Sequence, residues 1–222
     1  MPRVVVLFLA ALLCACTVSG NQDRFLEKFA DPEPKLSAVV ICHSYGCSRS
    51  DTLNLSRDWA SLTEPLRMPA LTPQEERERL SIFIASVEVV VGERLGTSGD
   101  IGGTFTGFAQ EGQLDCIDEA ANTTTFLTLL KDEGLLYWHD VRAPMSRGFF
   151  VNGWPHTSAV IADLESGENY VVDSWFHANG HPAEVVELTT WVGGWSPDGS
   201  QAEQIVASSA EPADLVSPVR AP

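Results

Sequence analysis

Three residues in the middle of the chain have the types and order that covalent catalysis uses. They are Cys116 in Asp115-Cys116-Ile117-Asp118-Glu119-Ala120, His156 in Trp154-Pro155-His156-Thr157-Ser158, and Asp173 in Tyr170-Val171-Val172-Asp173-Ser174-Trp175. A cysteine attacks as its thiolate. The first turn of a helix favours that form through unpaired N–H groups and a partial positive charge. Cys116 stands where a helix would begin, although Asp115 as N-cap works against the thiolate. An imidazole beside the sulfur takes its proton and later returns it to a leaving amine. A carboxylate holds the imidazole in one tautomer. Such a set attacks an amide carbonyl through a thioester. Water as acceptor gives hydrolysis, and an amine gives crosslinking. Besides the Cys116 N–H, Gln110 and Gln113 are candidate side-chain donors to the oxyanion. Trp154 and Trp175 flank the histidine and aspartate, as site walls or as core.

The elements that must position these groups are legible in outline. Leu36 to Cys42 reads as a short strand with Leu53 to Leu55 as its partner, and Ser56 as N-cap of a short helix through Leu62. Thr72-Pro73-Gln74-Glu75 carries a helix start, with a cap, proline at the first helical position and glutamate three after the cap. Leu80, Ile84, Val87 and Val91 follow at helical spacing, predicting a helix over 73–93 with one apolar core stripe. Residues 96–112 are rich in Gly and Thr but lack a Gly-Lys-Ser/Thr end, so they read as a flexible loop beside the site and not as a phosphate cradle. A second helix runs from Asp115 or Cys116 to just before Gly134, with Ala120, Ala121, Thr124, Leu127 and Leu130 facing a core. Residues 135–141, 156–164, 169–175 and 184–192 read as strands. Helices followed by an antiparallel meander make an α+β architecture.

The meander constrains the histidine and the aspartate. Alternation puts His156 and Asp173 on one face of a hairpin. A two-residue turn at Ser166-Gly167 sets His156 opposite His177 and leaves Asp173 roughly 13 Å away along the strand. A four-residue turn from Leu164 to Gly167 brings Asp173 to a diagonal position within side-chain reach. A wider turn or a bulge is therefore expected, and with the tight register His177 is the rival partner.

This order resembles the transglutaminase-like superfamily of papain-like cysteine enzymes over residues 72–195. In that family a cysteine opens a helix, and a histidine and an aspartate follow on adjacent antiparallel strands. The likeness is greatest to the bacterial transglutaminase-like cysteine proteinases, which also carry an acidic residue beside the cysteine. The resemblance implies Cys116 as nucleophile, His156 as general base and acid, and Asp173 as the orienting group. It implies a papain-like core and an amide substrate in a peptide or protein.

Composition narrows the partners. Thirty acidic residues against 14 basic ones give a formal charge of −16. That excludes a phosphate-binding surface for nucleic acid and electrostatic docking on anionic lipid. The N-terminus has another destination. Arg3 precedes an apolar run from Val4 to Leu13, too short to span a bilayer, that ends Leu13-Cys14-Ala15-Cys16. This resembles a bacterial lipoprotein signal cut before an acylated cysteine. The resemblance implies a signal peptide over 1–15 and a lipidated Cys16 as membrane anchor. With Thr17 after the cysteine, it also implies the periplasmic face of an outer membrane. A plain secretory signal cut nearby would still export the chain. Residues 16–36 then read as a tether, 37–196 as the domain, and 197–222 as a loosely ordered acidic tail.

Export gives the cysteines meaning. Cys42 and Cys47 sit around the turn-like His43-Ser44-Tyr45-Gly46 and read as a disulfide in an oxidising compartment. A metal pair with His43 is the alternative, but no second pair accompanies it. Cys116 is then left alone, either buried and inert or reactive. His43, His139, His177 and His181 read as surface or loop residues, and no metal cluster or cofactor is expected. Three function classes stay open. One is a thiol peptidase, amidase or acyltransferase. Another is a peptidoglycan hydrolase of the NlpC type, whose small residues after Asp-Cys are not matched by Ile117-Asp118-Glu119. The third is a lipoprotein that keeps the fold for binding.

Overall fold

A computed structural model describes residues 28–29, 31, 33–104, 111–148 and 155–197. The signal and lipidation residues through Cys16, together with Gln110, Trp154 and the tail from 198 onward, lie outside the described residues. The architecture is α+β with two antiparallel sheets. Strands β1 (Val39–His43) and β2 (Arg49–Leu53) form a hairpin. A short helix α1 (Trp59–Leu62) and a 3-10 turn lead to α2 (Pro73–Leu95). Helix α3 spans Cys116–Asp132. Four strands follow in spatial order, β3 (His139–Arg147), β4 (His156–Asp163), β5 (Asn169–Asp173) and β6 (Glu184–Glu187), and helix α4 (Leu188–Val192) closes the chain's described part. Among the described residues no helix is long and apolar enough to cross a membrane.

Local signals fix the two long helices. Thr72 caps α2 by accepting the Glu75 N–H at 3.1 Å, and Gly96 ends it in the left-handed region at φ 77°. Leu80, Ile84, Val87 and Val91 are all buried, and they meet Phe126, Leu127 and Leu130 of α3 in one core with Ile41 and Ile161. Helix α3 is buried on nearly every side. Its interior threonines satisfy their hydroxyls on the preceding turn, with Thr124 donating to the Ala120 carbonyl at 2.6 Å and Thr125 to that of Ala121 at 2.9 Å. Its end is a Schellman turn: Leu135 N–H reaches the Leu130 carbonyl and Gly134, at φ 68°, the Lys131 carbonyl.

The sheet departs from expectation at both edges. Strand β3 starts later than residue 135 and runs on to Arg147, with a register shift between Arg142 and Met145. Pro144 sits inside that shift, where a missing N–H breaks no ladder bond. Strand β2 precedes the expected 53–55 segment. At the other edge only Glu184–Glu187 pairs as strand, and Leu188–Val192 turns helical. The Glu187 carboxylate accepts the Thr189 and Thr190 hydroxyls at the start of that turn. The turn swings Trp191 back over the sheet, where it is wholly buried with Val160 and Val171.

His139 also departs from expectation, since it is buried and not on the surface. Its Nδ1 meets Glu76 Oε1 at 2.9 Å and its Nε2 meets Arg77 Nη1 at 3.0 Å, while Arg77 donates to Asp163 at 3.1 Å. Glu76 accepts the N–H groups of Tyr137 and Trp138 at 2.8 and 3.0 Å as well. This network locks α2 to the start of β3. Glu76→Ala strands those donors in the interior, so urea melts should show a loss of about 3 kcal/mol, as for removing one partner of a buried charged network. A loss under about 1 kcal/mol, the worth of an ordinary hydrogen bond, would mean the network is not what fastens these elements.

Candidate functional site

The β4–β5 hairpin closes through the four-residue turn. Asp163 N–H donates to the Glu168 carbonyl at 2.8 Å, and Ala162 pairs with Asn169 and Ala159 with Val172. Asp173 therefore falls diagonally across from His156. His156 Nε2 lies 2.7 Å from Asp173 Oδ2. His177, past the end of β5, bonds Glu184 at 2.8 Å instead. The same Asp173 oxygen accepts the Trp191 indole N–H at 2.8 Å. A carboxylate only accepts, so Nε2 carries the proton of this contact, and in the neutral ring Nδ1 is the nitrogen that presents its lone pair. Nδ1 is buried and has no hydrogen-bond partner among the described residues.

Cys116 reaches the same place from α3. Its sulfur takes the N–H of Thr157, the residue after His156. It packs with Trp175 and Phe176. The His156 ring packs against both, tilted to Trp175 with centroids 4.6 Å apart and edge-on to Phe176 at 5.2 Å, and lies 5.4 Å from Trp191. Cysteine, histidine and aspartate thus share one aromatic enclosure. The electrostatics run against the expected thiolate. Burial pushes the Cys116 thiol up to about 12; the Thr157 N–H opposes this, while the Asp115 and Asp173 carboxylates add to it. The helix N-terminus does not prevail because its N–H groups serve Asp115, which accepts from Ile117 and Asp118 at 3.0 Å each.

That acidic first turn has a second job, invisible in the sequence. Residues 44–47 all adopt left-handed backbone, with φ from 53° to 69°, and the disulfide between Cys42 and Cys47 closes the turn. Three successive N–H groups of this turn point at α3. Tyr45 and Cys47 donate to Asp118 at 2.8 and 2.7 Å, and Gly46 donates to Asp115 at 2.8 Å. Such a nest of amides suits a carboxylate. The hairpin thereby straps the first turn of the helix that carries Cys116.

Behind the sulfur lies a buried acid pair. Glu119 of α3 lies beside Glu88 of α2, whose charge adds to the burial that holds its proton on, and Ser174 donates to Glu119 at 2.6 Å. A cavity with room for about one water adjoins them among Thr97, Asn122 and Asn179, away from the thiol. Residues 99–104 of the Gly-rich segment are held by hydrogen bonds to the rest of the fold. Gly103 N–H donates to the Trp175 carbonyl at 2.6 Å, and Asp100 accepts the Leu114 N–H at 2.7 Å. A Cβ on Gly102 would sit 2.1 Å from the His177 backbone, so the loop needs glycine to lie this close.

Gln113 is engaged at both ends of its amide. Nε2 donates to the Gly99 carbonyl at 2.8 Å and Oε1 accepts the Ile101 N–H at 3.1 Å, so the structure gives it a loop-holding task. Trp191, Phe176 and Ser174 were missed in the sequence. An indole four residues after an acidic strand end was the available signal for the first. Among the described residues no group of three or more His, Cys, Asp or Glu forms a metal site.

The buried acids set a pH dependence. Burial raises Asp100 and Asp118 to about 6 and Glu88 to about 7, and it holds Glu119 well above the carboxylate range. A folded pKa above the unfolded one means the native chain keeps protons that the unfolded chain has released. Stability therefore falls as pH rises from about 4 to about 7. Some outer carboxylates act oppositely, but only below that window. Glu75 is held low by the Leu71 N–H and Arg79, and Asp140, despite burial, by Lys131. Thermal melts should give a Tm at least about 5 °C lower at pH 8 than at pH 5. A Tm that rises over that interval would show that these acids ionise without cost.

No protein-family model matches the chain, and no curated protein and no solved structure matches it.

Proposed function

We propose that the chain is a thiol acyl-transfer enzyme of the cell envelope, transglutaminase-like in its core and acting on amide bonds. The reading is carried by one observation. His156 is fixed through Nε2 to Asp173, and its Nδ1 is left buried and unpartnered in the enclosure that holds the Cys116 sulfur. A buried lone pair without a donor costs stability, and a thiol proton is the donor this site offers.

The raised thiol pKa decides the order of events. Cys116 rests as a neutral thiol. As sulfur adds to the carbonyl carbon, its proton passes to His156 Nδ1. The C–N bond breaks, and the same proton goes to the amine nitrogen, leaving a thioester. Water then attacks with its proton passing to Nδ1, and thiol and acid are released; an amine in place of water gives crosslinking. The Cys116 N–H is the oxyanion donor on this reading. Trp191 and Asp173 keep the imidazole in the tautomer that both steps need. Export by a lipoprotein signal at Cys16 fits the bonded Cys42 and Cys47, since such bridges persist in oxidising compartments.

The test is acylation by p-nitrophenyl acetate. A nitrophenolate burst equal to the protein concentration is expected, with an acetyl group on Cys116 by mass spectrometry. Cys116→Ala should abolish the burst, and His156→Ala should slow it at least about 100-fold, the worth of a positioned base. A burst indifferent to His156 would sink the proposal. Absence of any burst in the folded protein would favour the second reading, a binding module with an inert cysteine, which the burial of the sulfur supports.

Trp191→Phe keeps an aromatic ring, leaves a small cavity in place of the second ring, and removes one donor from Asp173. The acylation rate should fall roughly tenfold, in line with a hydrogen bond to a charged group. An unchanged rate would mean that His156 alone orients the carboxylate.

A further inference from the structure

Arg147 differs from the other partly buried arginines of the fold. It ends β3 and pairs in register with His156. Its guanidinium lies 4.3 Å from the Trp191 ring centroid and 5.9 Å from that of Phe176. Both rings also touch His156, and Phe176 packs with Cys116. Nη1 donates to the Trp191 carbonyl. The other arginines withdrawn from solvent have carboxylates: Arg77 meets Asp163 at 3.1 Å and Arg79 meets Glu75 at 2.5 Å, whereas Arg49, Arg57 and Arg67, which form no ion pair among the described residues, are exposed to water. Among the described residues no carboxylate lies within ion-pair distance of Arg147.

The chain is rich in acid, so this vacancy is chemically pointed. Asp173 is near enough for its field to favour the guanidinium charge, against the larger effect of burial. Yet its Oδ2 already holds the His156 and Trp191 protons. A half-buried cation flanked by aromatic faces is costly until an anion reaches it. A guanidinium carries five N–H donors in a planar fork. The Trp191 carbonyl engages Nη1, and the rest of the fork can grip a carboxylate from two sides.

We infer that Arg147 sets the specificity of the site by receiving a carboxylate carried on the acyl side of the substrate, a few bonds from the scissile carbonyl. The substrate class is then an acidic peptide or a similarly carboxylated amide. The inference rests on the acyl-transfer reading of Cys116, His156 and Asp173. A prop that merely stacks on Trp191 would give no preference for charge in the acyl group.

Two activated esters separate these cases. One is the p-nitrophenyl half-ester of adipic acid, whose far end is a carboxylate, and the other is its carboxamide counterpart. The rate of Cys116 acylation by each is measured on the full chain and expressed as a charged-over-neutral ratio. The same ratio for glutathione gives the intrinsic chemistry, and the neutral ester corrects for any general change in thiol reactivity. Wild type should exceed the glutathione ratio about tenfold, a charge-assisted contact's worth, despite the acidic surface. The excess should shrink in high salt. Arg147→Gln should bring the ratio to the glutathione value or below, and Arg147→Lys should keep part of it. A wild-type ratio no greater than that of glutathione overturns the inference, and this outcome needs no variant. So does a raised ratio that Arg147→Gln leaves untouched in a protein with wild-type melting. If neither ester nor p-nitrophenyl acetate acylates Cys116, the acyl-transfer reading itself falls, and the inference with it.

Discussion

Two carboxylates at the start of α3, Asp118 and Glu119, are buried and a third, Asp115, is partly buried, and all three take donors from distant parts of the chain. Asp115 and Asp118 find them in the left-handed turn at 44–47. Glu119 finds one in Ser174, next to Asp173, and lies beside Glu88 of α2. A helix start buried without such partners would be unstable, since a lost partner for a buried charge costs several kcal/mol. The demand draws the hairpin, the sheet and the second helix to one point. Cys116 stands at that point, flanked by the residues that create the demand.

The arrangement has a cost that falls on the sulfur. Carboxylates on both sides and little solvent disfavour a second negative charge, so the thiol stays protonated. Many reactive cysteines are placed among positive groups. Here acids tie the interior together, and on the proposed reading reactivity would depend on a base that is already oriented. Asp173 and Trp191 spend their hydrogen bonds on that orientation. On that reading position stands in for a resting ion pair, and the proposed chemistry is that of a proton leaving as a bond forms.

Parts of this were legible in the sequence because they obey local rules. The Thr72-Pro73 start and the stripe from Leu80 to Val91 predict α2, and Gly134 ends α3. A wider turn or a bulge followed from reach, since the two-residue turn leaves Asp173 too far from His156, and the four-residue turn is the one that forms. What escaped was non-local. His139 looked like a surface residue because its partners, Glu76 and Arg77, lie some sixty positions earlier. Trp191 looked like strand because Val185 and Val186 precede it; the helical turn depends on Glu187 accepting two threonine hydroxyls. The thiol pKa was misjudged because a helix dipole is a local expectation, whereas burial and Asp173 are tertiary facts.

The disulfide turn illustrates how such facts combine. Successive residues with positive φ are unfavourable for side chains other than glycine, and residues 44, 45 and 47 are serine, tyrosine and cysteine. A bridge between Cys42 and Cys47 restricts the unfolded turn, and the amides that the strained backbone aligns are the ones Asp115 and Asp118 require. Strain and unmet donors on one element cancel unmet acceptors on the other. Neither element is stable as drawn without its partner, so the hairpin and the first turn of α3 form one unit although some seventy residues separate them. A change in the thiol state of Cys42 or Cys47 would thus act on the ground beneath Cys116 without touching the sulfur.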